Sequence, residues 1–243
     1  MIVQPRRDVV VLAAGMGLRL SEISLGLPKA LVSVAGVPLL DRALHFAIAL
    51  SPHGRRFVVG GYRFDAICDH QKKNGIAYDL YHNPDFKSGN LFSLMSVLPE
   101  ITNDFYLLNA DHIFAPESAS HFTPEHLEMV TVFADIDRPL YIDDMKIKLS
   151  SSGTVSSISK TLTEYDCGYI GVSYIPETCI SRYRESCRLV SNSDPTTANV
   201  EKVIQSLTDH GAGVFCQVVG NLQWFEVDTP ADFEIANRNL SNQ

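Results

Sequence analysis

What this chain lacks narrows its function first. Its five cysteines, Cys68, Cys167, Cys179, Cys187 and Cys216, are odd in number and scattered, with no Cys-x-x-Cys pair. That excludes a zinc ribbon or dithiol redox motif and leaves reduced, structural thiols. None of the eight histidines forms a His-x-x-x-His pair, so any metal falls to carboxylates. Positive charge is in deficit: 20 Lys and Arg against 28 Asp and Glu give a net charge of −8. Nucleic acid is held largely through cationic contacts to phosphate, so no nucleic-acid partner is expected. No apolar run approaches the length of a membrane helix, and Met1 to Arg7 does not open a cleavable signal region. The expectation is a soluble, cytoplasmic chain with no membrane insertion. Pro/Gly/Ser-rich linkers and internal repeats are missing too, so the 243 residues, 45% of them hydrophobic, are read as one domain over 1–243.

What is present is concentrated near the start. Val9-Val10-Val11-Leu12-Ala13-Ala14 is short and β-branched and predicts a buried parallel strand. It runs into Gly15-Met16-Gly17-Leu18-Arg19-Leu20, and Leu27-Pro28-Lys29-Ala30-Leu31 follows. Gly15 and Gly17 let backbone N–H groups approach an anion. Arg19 offers a planar fork for phosphate oxygens and Lys29 a compact point charge. This is not a dinucleotide fingerprint, because Leu20 stands where the third glycine belongs and Asp41 alone does not supply the rest. Nor does any Gly-Lys-Ser/Thr occur to make a P-loop.

Periodicity beyond the loop predicts helices over 39–50, 64–74 and 91–98, alternating with strands over 56–61, 78–81 and 105–108. Such alternation means α/β architecture, a mainly parallel sheet with helices on both faces. The second half changes character. Residues 146–149 and 155–160 alternate about a turn at 150–154 and predict a β-hairpin. Strands are expected over 168–174, 214–219 and 222–227, and helices over 199–210 and 230–239. Ligands in an open parallel sheet gather at strand carboxyl ends. Gly15, Asp111 and Asp228 each follow a strand-like run. Two such aspartates beside a phosphate loop are hard-oxygen ligands suited to Mg²⁺. His112 is read as a packed residue.

These residues carry a resemblance. Leu12 to Leu20 with Pro28-Lys29 is similar to the N-terminal signature of nucleotidyltransferases that join a nucleoside triphosphate to a phosphorylated metabolite, although Leu18 stands where that family usually has Thr. The blocks Asn83 to Leu94, Asn109 to Phe114, Lys160 to Gly171 and Trp224 to Phe233 resemble, in order, those of cytidylyltransferases acting on inositol 1-phosphate, phosphocholine or phosphonates. The likeness spans nearly the whole chain and is weakest between His121 and Asp144.

The resemblance implies a single-domain Rossmann-like three-layer sandwich of the nucleotide-diphospho-sugar transferase type with a β-hairpin substrate arm. Its nucleotide-binding half would cover about 1–115 and its acceptor-binding half about 116–243. It implies that Leu12, Ala13, Ala14, Gly15, Gly17 and Arg19 cradle the nucleotide, that Gly89, Asn90 and Ser93 face the base, and that Arg19, Lys29 and Asp111 act in catalysis. Asp111 and Asp228 would hold Mg²⁺, and Lys146 or Lys160, with Asp166, would bind the acceptor. The partners implied are CTP and a phosphorylated or phosphonate small molecule, with a homodimer left open. Two other readings stay open at this point: a sugar-1-phosphate nucleotidyltransferase using UTP or dTTP, and a catalytically silent nucleotide sensor.

Overall fold

The structure, a computed structural model, describes residues 6–241. Its first strand, β1 (Asp8–Ala13), is buried along its length, and its side chains serve two layers. Val9, Val11 and Ala13 pack on one face while Val10 and Leu12 pack on the other, as the two-residue period of a strand requires. β1 lies parallel to both β4 (Arg56–Gly60) and β6 (Phe105–Asn109), with Val11 opposite Val58 and Leu108. β5 (Asp79–His82) extends the sheet beyond β4. The order β5-β4-β1-β6 places a topological switch between β1 and β6, where a crevice opens at the strand ends.

Helices cover both faces. α1 (Ser21–Ser24) is a single turn after the glycine loop, and β2 (Ser33–Val34) with β3 (Val37–Pro38) forms a small hairpin. α2 (Leu39–Leu50) turns Leu40, Ala43, Leu44 and Ala47 onto the layer shared with Ile67 of α3 (Phe64–Asn74). On the opposite face, Leu91, Leu94 and Val97 of α4 (Asn90–Val97) meet Val10, Leu12 and Leu107.

Beyond β6 the sheet becomes mixed. β7 (His112–Phe114) leaves it, β8 (Val130–Asp135) rejoins it, and β9 (Lys146–Leu149) and β10 (Val155–Ser159) form the expected hairpin. β11 (Cys167–Ile175) is antiparallel to β6, β8 and β9 at once. α5 (Ile180–Ser193) and α6 (Val200–Asp209) cover its face, and β12 (Val214–Val218) runs parallel to β8. A bridge between Thr154 and Phe215 closes the hairpin onto β12. The parallel reading therefore holds from β1 to β6, and beyond β6 antiparallel pairing through β11 dominates, with β8 and β12 parallel.

The expected strand over 222–227 is real but belongs to no main sheet. It is β13 (Trp224–Glu226), paired only with β7 in a two-stranded ribbon. α7 (Pro230–Ser241) then starts with a capping box: Thr229 Oγ1 accepts from Asp232 N, and Asp232 Oδ2 accepts from Thr229 N. That cap fixes the chain at its neighbour Asp228, whose own N–H also donates to Asp232.

Candidate active site

The glycine loop leaves β1 with Ala14 and Gly15 at the crevice. Gly17 has φ +64, and a Cβ there would come within 2.9 Å of Lys29 Cβ, so this glycine permits both the left-handed turn and the packing of Lys29 beneath the loop. Lys29 is buried, and its Nζ lies 2.5 Å from Asp111 Oδ2 and 2.6 Å from Asp228 Oδ1. Arg19 reaches the same group, with Nη2 2.5 Å from Asp228 Oδ2 and Nη1 3.3 Å from Asp143 Oδ2. Five residues from four distant segments thus meet as two cations facing three carboxylates, with Asp228 shared by both cations.

The electrostatics follow from burial and pairing. Burial would raise the Asp111 pKa, but the Lys29 ammonium and the His112 imidazole outweigh it and hold the carboxyl far below the usual range. Burial would likewise depress Lys29, and Asp111 and Asp228 reverse that. His112 binds Asp111 Oδ1 through Nδ1 at 2.9 Å, which leaves Oδ2 as the oxygen turned to the ammonium. Burial also raises Glu226 and Glu201, two carboxyls facing the same crevice.

Leu12, Ala14, Gly15, Asn90, Ser93, Asp111, Lys160 and Asp228 line one cleft of about 360 Å³. Ala13 does not: its side chain points into the α2 layer, so it can offer only backbone. Gly89 lies behind the cleft wall, where a Cβ would fall 1.9 Å from the Ala198 carbonyl oxygen. This contact seats the start of α4 against the start of α6, where Asn90 Oδ1 accepts from Val200 N at 3.0 Å. Ser93 Oγ accepts from Asn83 Nδ2 at 2.9 Å. Gly89→Ala is expected to cost about 2–3 kcal/mol, because backbone and not a flexible side chain blocks the added methyl. Urea unfolding measures this, and an unchanged midpoint would show that the two segments separate freely.

A second cleft of about 390 Å³ adjoins the first and is lined by Arg19, Arg138, Asp143, Asp144, Lys160, Trp224, Glu226 and Asp228. Lys160, Glu226 and Asp228 line both clefts. The hairpin lysines separate here. Lys146 is buried and its Nζ donates to the carbonyls of Tyr141, Asp144 and Lys160 at 2.8, 3.3 and 3.0 Å. It ties the 141–144 loop to the hairpin and has no donor left to offer an anion. Asp166 accepts from Leu149 N at 2.7 Å and from Lys148 Nζ at 3.3 Å. It staples the hairpin and lines neither cleft. Of the three acceptor candidates, only Lys160 faces the clefts. A larger cavity of about 480 Å³, between Arg42, Phe114, His121 and Leu240, contains none of the expected site residues.

Sequence reasoning looked to the 135–144 region for acceptor specificity but gave no individual role to Arg138, Asp143 or Asp144, nor to Glu201, Trp224 or Glu226. Glu226 and Trp224 carried a signal, since they lie two and four residues before Asp228 on one alternating run. The loop residues lie in the stretch without readable periodicity.

Asp111 and Asp228 suit a hard divalent cation, because both already direct carboxylate oxygens at a single positive charge, the Lys29 ammonium. The Asp111, His112 and Glu226 ligand atoms also lie within 4.8 Å of one another.

Comparison with known proteins matches residues 9–138 to the model of the MobA-like NTP transferase domain family. The bifunctional IPC transferase and DIPP synthase of Rubrobacter xylanophilus is 32% identical over 229 residues, covering 93% of this chain and 50% of that protein. The chain spans about half the length of the curated relatives of this kind that it matches. The inositol-1-phosphate CTP transferase structure from T. maritima superimposes with TM-score 0.80 at 20% identity, covering 97% of this chain and 96% of that one. The CTP:phosphocholine cytidylyltransferase of Streptococcus pneumoniae gives 0.71 at 21%, covering 97% and 99%. At these identities the two structures speak for the fold alone, an α/β sandwich.

Proposed function

The chain belongs to the MobA-like NTP transferase domain family, and from that premise we propose that it is a cytidylyltransferase, transferring CMP from CTP to the phosphate of a phospho-alcohol and releasing pyrophosphate. The relative's description as an IPC transferase and the fold neighbours' action on inositol 1-phosphate and phosphocholine support this class. One observation carries the reading: Lys160 and Asp228 stand where two clefts meet, and the paired carboxylates and cations lie at that junction. A nucleotide in the first cleft and a phosphate monoester in the second would bring their reacting groups together there.

The mechanism then needs positioning and charge compensation more than proton transfer. The acceptor oxygen is an anion near neutral pH and attacks the α-phosphorus in line, while pyrophosphate leaves. Arg19 and Lys29 stabilise the triphosphate charge, and Lys160 draws the acceptor phosphate toward it. Mg²⁺ held by Asp111 and Asp228 would supply further neutralisation of the triphosphate. Asn90 and Ser93 lie on the cleft wall that the base would face.

The test is Mg²⁺-dependent pyrophosphate release with each of four nucleoside triphosphates against phospho-alcohols, phosphonates and sugar 1-phosphates. Release only with CTP and a phospho-alcohol is expected. Release with UTP or dTTP and a sugar phosphate would overturn the cytidylyl assignment. Lys160→Ala is expected to raise the acceptor KM about tenfold or more, the loss of one charge-assisted contact, with CTP KM little changed. The opposite pattern would move Lys160 to the nucleotide side.

A further inference from the structure

The two halves of the junction are tied by one side chain that the mechanism above does not use. Trp224 is the single tryptophan of the chain. Its indole stacks on the His112 imidazole with 5.5 Å between centroids and 3° between planes. The Arg138 guanidinium carbon lies 4.8 Å from the centroid of the indole. Its Nε1 donates to Asp135 Oδ2 at 2.5 Å. Asp135 is buried, its Oδ1 has no hydrogen-bond partner, and Arg138 Nε approaches the same Oδ2 that the indole binds, to 3.9 Å. The same indole therefore touches two arms. One runs through His112 to Asp111 Oδ1. The other runs through Arg138, which binds Asp144 with two hydrogen bonds of 3.1 and 2.9 Å, to the loop lining the second cleft.

We propose that Trp224 is a positioning residue that sets both sides of the reaction at once, orienting Asp111 through His112 and holding Arg138 and the 138–144 loop at the acceptor cleft. The inference rests on the function proposed above. The physical reasons are geometric. A parallel aromatic contact restricts rotation of the imidazole, and an imidazole fixed by one nitrogen fixes the carboxylate it donates to. Arg138 above the ring gains a cation–π contact that holds it beside Asp144. The fixed indole N–H keeps the ring itself from turning, because Asp135 is buried and would otherwise lose its partner.

The test uses the whole protein and has two readouts. Emission from the lone indole reports binding without turnover: Mg²⁺·CTP is expected to shift or quench it in the wild type, and His112→Ala to cut that change by more than half. An unchanged response in His112→Ala would overturn the metal-side arm. In kinetics with inositol 1-phosphate, Trp224→Leu is expected to raise the Mg²⁺ concentration for half-maximal rate about fivefold or more and the acceptor KM about tenfold, with CTP affinity at saturating Mg²⁺ within twofold. Trp224→Phe, which keeps an aromatic face but loses the N–H, is expected to recover most of the Mg²⁺ dependence. If Trp224→Leu lowers only the melting temperature, or scales every constant alike, Trp224 is packing and the proposal fails. A wild type that neither binds Mg²⁺·CTP nor releases pyrophosphate would instead bring down the functional assignment, and this inference with it. An active wild type matched by Trp224→Leu removes the inference alone.

Discussion

Asp111→Asn is expected to lower kcat by about a thousandfold, the scale seen when one preorganised charge is removed from a phosphate-stabilising site. Asparagine keeps the shape and can still accept from His112, so the β6–β7 turn should survive and the thermal transition should stay cooperative. What disappears is the charge that pairs with Lys29 and that, under the proposed function, would pair with a divalent cation. Two measurements separate these effects: kcat at saturating substrates, and the Mg²⁺ concentration needed for half that rate, which should rise. A kcat within tenfold of wild type at ordinary Mg²⁺ would remove Asp111 from the reaction and leave it a structural partner of Lys29.

Replacing that partner gives the second large effect. Lys29→Met leaves two carboxylates, both less than a third exposed, with Arg19 on Asp228 and the His112 imidazole on Asp111 but no cation between them. Breaking a buried ion pair from one side costs about 3 kcal/mol, and the variant should melt well below wild type in the absence of divalent ions. Mg²⁺ or Mn²⁺ should then raise its melting temperature more than it raises that of the wild type, because the cation enters a site that no longer holds an ammonium. The pH dependence has a definite sign. In the wild type the folded Asp111 pKa lies below the unfolded value of about 3.9. Its contribution is therefore complete above that pH and is lost progressively as pH falls below it. Without Lys29, burial and Asp228 oppose ionisation, so the acid limb of the stability curve should move to higher pH. An identical acid limb and no extra response to Mg²⁺ would mean that Lys29 does not neutralise the pair.

The parallel half of the fold was legible because its signals are local. Apolar strands and amphipathic helices alternate from β1 to β6, and β1, β4 and β6 with α2 and α4 each bury a clear apolar face. The part of the fold beyond β6 was less legible because its organising strand, β11, owes its place to three partners distant in sequence. β8 went unread although all six of its residues are buried, since a run buried on both faces shows no alternation. α5 also went unread, though Ile180, Tyr183, Cys187 and Val190 fall at helical spacing. Its many arginines and serines dilute that signal. At the site, Arg19, Lys29, Asp111 and Asp228 could be named from residue type and position, but the fates of the hairpin residues could not. Lys146 and Lys160 look alike in sequence, and Lys146 is withdrawn by three carbonyls that only the folded loop assembles.

The ribbon of β7 and β13 has a consequence for how activity arises during synthesis. Lys29 and Asp228 are separated by 199 positions, and Asp228 is held between β13, which pairs back to β7, and the helix cap of Thr229 and Asp232. The glycine loop and Asp111 can dock while the ribosome is still at work, but the second carboxylate cannot arrive until residues 224–232 have emerged and the ribbon has zipped. A nascent chain arrested before Trp224 would therefore carry the glycine loop and Asp111 without Asp228, and the Lys29 ammonium would face one carboxylate until the ribbon forms.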